Sequence, residues 1–186
     1  MLKSSQRTYQ IAIAALMLAL CFVLPNFTGN IPYIGSMLLP MHLPVLLCGF
    51  ICGPFWGGAV GFIAPVLRSV LMTMPPMNVA IPMALELATY GAVSGLLYRI
   101  LHGKSKKDLV AIYVSLISAR VVGRVVYGIT QLYLTMNTAD VYTFSAFVAG
   151  SITNSIPGII AQLTIVPAVV LAINGQNLRK VQYSLD

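Results

Sequence analysis

The chain has 186 residues, of which 58% are apolar and only 8% charged, where an ordinary soluble domain is roughly a quarter charged. That balance excludes a water-soluble globule. With no polar block long enough for a second domain, no low-complexity run and no fixed-period repeat, residues 1–186 read as a single membrane domain.

A membrane-spanning helix needs about 17–25 mostly apolar residues. Six stretches approach this, near 9–24, 38–52, 55–72, 79–101, 109–135 and 143–172. No alternating pattern suggests a barrel, so a lipid-embedded backbone must satisfy its hydrogen bonds within helices. The opening "MLKSSQRTYQIAIAALMLALCFVLP" has the look of a secretory signal, but no A-x-A-like cleavage site follows it and the topology needs this helix, so it is expected to stay. The second helix is short and carries Pro40 and Pro44 at its start, which sets it partly against the membrane interface.

Charges between the helices give the orientation. Lys3 and Arg7 precede the first helix, Arg99, Lys104, Lys106 and Lys107 lie around the fourth connection, and Arg179 and Lys180 follow the sixth helix. The loops at 25–37, 73–78 and 136–142 hold no Lys or Arg. By the positive-inside rule both termini are cytoplasmic. The expected fold class is therefore an all-α integral membrane protein with six transmembrane helices. Its formal charge of +7 reflects topology and attraction to anionic lipid, not a nucleic-acid partner.

Short motifs carry little chemistry. Cys21, Cys48 and Cys52 fall inside spans, where thiols serve as small buried hydrophobes. "HGKS" at 102–105 ends like a phosphate-binding loop, but Tyr98 stands where that motif needs glycine. "NFT" at 26–28 matches a glycosylation sequon, a pattern frequent by chance. The histidines, His42 and His102, sit near opposite ends of different spans, and there is no H-E-x-x-H or G-x-S-x-G. No enzyme activity, cofactor or metal is expected.

Arg68, Glu86, Arg120 and Arg124 remain, all within spans. Each charge at membrane depth costs at least ~2.5–3.5 kcal/mol, so such residues face a bundle interior or a wet cavity and mark function. Depth counting places Arg68 and Glu86 in the outer half of the bilayer, where they are expected to pair across adjacent helices, either as a plain lock or as ligand contacts. Arg120, Arg124, Tyr127 and Gln131 step by four, three and four along the fifth helix, one face climbing outward. Phe147, Ser151, Asn154 and Gly158 make a mixed face on the sixth. One acid cannot neutralise three arginines. The surplus favours a ligand with a carboxylate or other anionic group, which arginine binds bidentately. Arg120, the deeper of the pair on the fifth helix, is expected to be held by carbonyls or water and to serve the fold, leaving Arg124 for the ligand.

Small residues form strips at Ala12, Ala15 and Ala19, at Gly57, Gly61 and Ala64, and at Gly91 and Gly95. Such spacings let helices approach closely in lipid. Some strips pack internally, and one is available for a partner.

With "AALMLA" at 14–19, "MHLPVLLCGFICGPFWGGAVGFIAPVLRS" at 41–69, "ELATYGAVSGLLYR" at 86–99 and "IPGIIAQLTIVPAVV" at 156–170, the chain resembles the S-components of energy-coupling factor (ECF) vitamin transporters. The likeness covers most of the chain and lies in the combination of segments. It implies that the strip carrying Ala15 and Ala19 docks on a membrane scaffold subunit. It implies that an outer-half pocket binds a B vitamin very tightly under the loop at 25–37, and that two cytoplasmic ATPase subunits supply the energy. The Met41–His42 pair resembles a metal-binding pair of cobalt and nickel members, but there it stands at the very N-terminus, where the terminal amine can ligate; here it is internal.

Among vitamins the surplus arginine favours pantothenate, whose carboxylate would meet Arg124 or Arg68. Pyridoxine or a hydroxymethylpyrimidine comes next, served by Glu86, Asn154, Tyr90 and Tyr127, and riboflavin fits less well with a single tryptophan. The alternatives from other classes are a ligand-free helical assembly or scaffold protein and a membrane enzyme.

Overall fold

Lipid offers no hydrogen-bond partner to a peptide group, and the chain answers with helix. The computed structural model describes residues 2–28, 39–102, 108–135 and 156–175, and among these there is no strand. Six helices follow in order: α1 (Leu2–Thr28), α2 (His42–Cys52), α3 (Pro54–Met72), α4 (Met77–Leu101), α5 (Asp108–Thr135) and α6 (Ile156–Gly175). Five of them are long and apolar enough to cross a membrane. The exception is α2, whose 11 residues rise only about 16 Å, against a hydrocarbon core of about 30 Å.

α2 lies inside the helix bundle. Its residues are apolar around the whole circumference, and a helix of that kind is buried on all sides. It packs on α1, α3, α4 and α6, and His42, Pro44, Val45, Leu46, Cys48, Gly49, Phe50 and Cys52 are buried. The proline-rich start lies before and within its first turn, where missing amide hydrogens break nothing.

Gly53 makes the break between α2 and α3. Its φ is +89°, a conformation that strains an L side chain. Its N–H donates to the Gly49 carbonyl at 3.1 Å, closing α2, and Pro54 opens α3. After a short link, the Val79 and Ala80 amides both donate to the Pro76 carbonyl at 2.9 Å, starting α4 in the opposite direction.

Glycines bring α2, α3 and α4 into near-backbone contact. A Cβ on Gly57 would lie 2.6 Å from the Gly49 Cα and 2.7 Å from the Gly91 carbonyl oxygen; one on Gly95 would lie 2.6 Å from the Gly49 carbonyl oxygen. A Cβ on Gly61 would strike the Leu87 carbonyl. The strips expected from spacing alone are thus used within the chain, where packing rather than hydrophobic transfer drives association.

Two side-chain cores flank this seam. Ala14, Met17 and Cys21 of α1 join Val45, Cys48, Val60 and Ala64. Leu46 and Phe50 of α2 join Tyr90, Tyr98, Ile112, Leu116 and Val166. The three cysteines are buried free thiols; Cys21 Sγ points to the Met41 carbonyl at 3.7 Å and Cys52 Sγ to that of Gln10 at 3.8 Å. α4 is the hub, touching α2, α3 and α5, while α6 closes over α2 and α5.

Candidate functional site

Glu86 and Tyr90 are one turn apart on α4, on one face, and both are buried, with Glu86 only 2% exposed. The Tyr90 hydroxyl donates to Glu86 Oε1 at 2.7 Å. Arg124 Nη1 of α5 sits 3.1 Å from the same oxygen. Gly123 permits the arrangement: a Cβ there would fall on the Tyr90 ring, so only glycine lets α5 lie against it.

One turn along α5, Arg120 turns to α6, where its Nη2 donates to Gln162 Oε1. Its Cζ also lies 5.9 Å from the Tyr90 ring centroid, within cation–π range. From α2, the His42 ring approaches the Tyr90 ring at 5.4 Å between centroids, tilted by 54°. Four helices therefore converge on one tyrosine.

The charge in this cluster does not balance. Two guanidinium groups meet a single carboxylate, and the engaged oxygen of that carboxylate already serves Arg124 and Tyr90. Arg120, 8% exposed, has a neutral amide as its side-chain partner and no salt bridge among the described residues. Glu86 acts on Arg120 through space but is shared with Arg124, and a buried charge only partly compensated is costly. A ligand carboxylate would remove that cost with a two-pronged contact.

A family model described as "ECF transporter, substrate-specific component" matches residues 9–170, most of the chain. The chain belongs to that family. Neither a curated protein nor a solved structure gives a significant match. As an ECF substrate-specific component it is a transporter subunit in the membrane, of a class that works with a substrate and with scaffold and ATPase subunits.

The predicted residues of this ECF component fall into distinct places. Glu86, Tyr90 and Arg124 come together, but the expected Arg68–Glu86 bridge does not form. The glycine contacts set an antiparallel register in which Gly57 faces Gly91 and Gly61 faces Leu87. Extended along α3, it puts Arg68 level with Ala80, about 9 Å along the axis from Glu86. Arg68 is half-buried near the end of α3, apart from the cluster. Of the two α5 arginines, Arg124 pairs with the acid, and Arg120 bonds to a side-chain amide rather than to carbonyls, with no salt bridge among the described residues.

Tyr127 is half-buried one turn beyond Arg124. Asn154, with Phe147 and Ser151, lies outside the described residues, and Gly158 is buried on α6. Ala12, Ala15 and Ala19 are exposed on α1, opposite the buried Ala14, Met17 and Cys21. Two residues of the cluster escaped sequence reasoning. Gln162 lies with Thr164 in a mostly apolar run of α6, and His42 was weighed only as a metal or catalytic residue; the signal for each was a polar side chain in a helix with no polar face to hold it.

Proposed function

We propose that the chain is the specificity subunit for import of a small water-soluble vitamin that carries a carboxylate, pantothenate being the best match. The supporting observation is Arg120, a buried guanidinium whose side-chain partner is neutral while Glu86 is committed to Arg124 and Tyr90. Arg120 would take the carboxylate, and Arg124 would hold Glu86 and add positive potential. Arg68, nearer the end of α3, would attract the anion on its way in, with Tyr127 and Asn154 completing the wall of the pocket. The pocket would open outward, with both termini in the cytoplasm, following the distribution of lysine and arginine. Energy would come from two ATPase subunits through a scaffold subunit docked on the exposed Ala15 and Ala19. The chain itself would need no cofactor.

Pyridoxine and hydroxymethylpyrimidine rank lower because the Glu86 oxygen they would use is already doubly engaged. Calorimetry on the detergent-purified protein separates these readings. Pantothenate should bind at least about thirty-fold more tightly than pantothenol, in which an alcohol replaces the carboxylate, since losing one side of a desolvated charge contact costs ~2–5 kcal/mol. Equal affinity for the two, or tighter binding of pyridoxine, would overturn the proposal.

A further inference from the structure

The carboxylate contact does not use every polar atom of the cluster. His42 is 1% exposed and Gln162 fully buried. Nε2 of Gln162 has no hydrogen-bond partner among the described residues, and His42 has at least one ring nitrogen without one, the Leu39 backbone being the neighbour within reach of the other. Buried polar groups in folded proteins are nearly always paired, and each exception asks for a cause. Here such atoms belong to two side chains, one against Tyr90 and one against its neighbour Arg120. His42 lies against the Tyr90 ring, and Gln162 spends its oxygen on Arg120, which lies against the same ring.

Neither side chain is fully explained by the contacts it makes. A phenylalanine at 42 would keep the ring contact with Tyr90 without burying two nitrogens; at 162 the amide oxygen holds Arg120, but that role leaves the two Nε2 donors unused. The chemistry of the orphans is also specific. A neutral imidazole has one donor and one acceptor, and the Gln162 amide nitrogen has two donors. Together they suit a group that both gives and receives a hydrogen bond, which an alkyl or a second carboxylate does not.

We infer that His42 and Gln162 form a second subsite that recognises a neutral hydroxyl of the same ligand whose carboxylate meets Arg120. This rests on the carboxylate reading above and deepens it. Charge is read by α5, and the hydroxyl is read by α2 and α6 across the Tyr90 ring. α2, too short to span the membrane, thereby acquires a role as a reader of specificity held in the centre of the bundle.

The test compares binding of pantothenate, pantothenol and the two deoxy analogues that each lack one hydroxyl, to the parent, His42→Phe, His42→Gln and Gln162→Met. Each protein is checked for monodispersity, and native mass spectrometry identifies any small molecule it carries from rich medium. The parent should lose about ten- to hundred-fold in affinity for one of the deoxy analogues, the range for an unpaired buried group. His42→Phe should bind pantothenate more weakly by a similar factor and no longer distinguish that deoxy analogue, while still preferring pantothenate to pantothenol as the parent does. His42→Gln, which keeps a donor and an acceptor, should recover part of the discrimination, and Gln162→Met should lose it. Should His42→Phe not fold, Gln162→Met decides the matter through its discrimination between pantothenate and the deoxy analogue, because the same change also removes the partner of Arg120 and lowers affinity for any carboxylate. Parent-like affinity and discrimination in a monodisperse His42→Phe or Gln162→Met would overturn the subsite, leaving these atoms to structural water. A parent that treats pantothenate and pantothenol alike but rejects a deoxy analogue defeats the carboxylate reading and leaves the subsite standing. If the parent carries some other molecule, its retention by His42→Phe at parental occupancy overturns the subsite. A parent that binds none of the probes and carries nothing overturns both.

Discussion

Replacing Gly123 by alanine should disrupt the cluster more than any other single methyl group. The added Cβ would overlap the Tyr90 ring and come within 3.2 Å of the Glu86 carbonyl oxygen. Tyr90 is fully buried, with His42 at 5.4 Å and Arg120 at 5.9 Å on its other sides, so it cannot swing aside without leaving Glu86. Overpacking costs ~1–3 kcal/mol, and a buried hydrogen bond in a membrane bundle contributes about 0.6–1.7 kcal/mol. Together Gly123→Ala should cost about 2–5 kcal/mol. In a Tyr90→Ala background the obstruction is gone, and the same change should become neutral or stabilising by about 0.5–1 kcal/mol, because alanine is the better helix former. Denaturant titration in detergent, followed by far-UV circular dichroism, gives the four free energies of the cycle. Equal costs of Gly123→Ala in the two backgrounds would refute the contact and the positioning of Tyr90 that depends on it.

Gly91→Ala should fail to give monodisperse protein, since its Cβ would run into the Gly57 backbone, whereas Gly58→Ala, whose nearest contact would be an ordinary 3.5 Å from the Ala92 Cβ, should leave thermal stability within about 0.5 kcal/mol of the parent; size-exclusion profiles and melting curves check both. Ala15→Trp or Ala19→Trp, on the exposed face of α1, should abolish uptake in cells while leaving calorimetric affinity of the isolated subunit unchanged, and loss of binding with intact complex assembly would reverse that assignment. The purified chain in liposomes should neither hydrolyse ATP nor accumulate pantothenate against a gradient, and co-reconstitution with scaffold and ATPase subunits should restore accumulation.

How far the sequence carried the fold depends on which contacts leave a local mark. Gly57, Gly61, Gly91 and Gly95 were legible because close helix approach demands small residues at a four-residue spacing, and that spacing is visible in one dimension. The pairing of Glu86 was not. Depth counted from approximate helix ends placed it beside Arg68, whereas the true register follows from which glycine meets which carbonyl, information shared between two segments and present in neither. The burial of α2 among its neighbours was not read because its prolines drew attention to the interface, while its apolarity apart from His42 was the sign of burial. Gln162 and His42 leave no periodic pattern at all; a sparse polar residue has significance only when the helices bring it to Tyr90, as for His42, or to the arginine beside it, as for Gln162.

The central claim is that the ligand supplies the counter-charge Arg120 lacks, and Gln162→Glu tests it most directly. That change places a carboxylate where the Gln162 amide oxygen now accepts from Arg120, so the protein would neutralise its own arginine. The variant should fold, and melt no lower than the unliganded parent, because it replaces a neutral partner with an opposite charge. Measured by calorimetry, its affinity for pantothenate should fall at least about thirty-fold more than its affinity for pantothenol, which loses only the Gln162 amide donors. A monodisperse Gln162→Glu that binds pantothenate as tightly as the parent would contradict the assignment of Arg120.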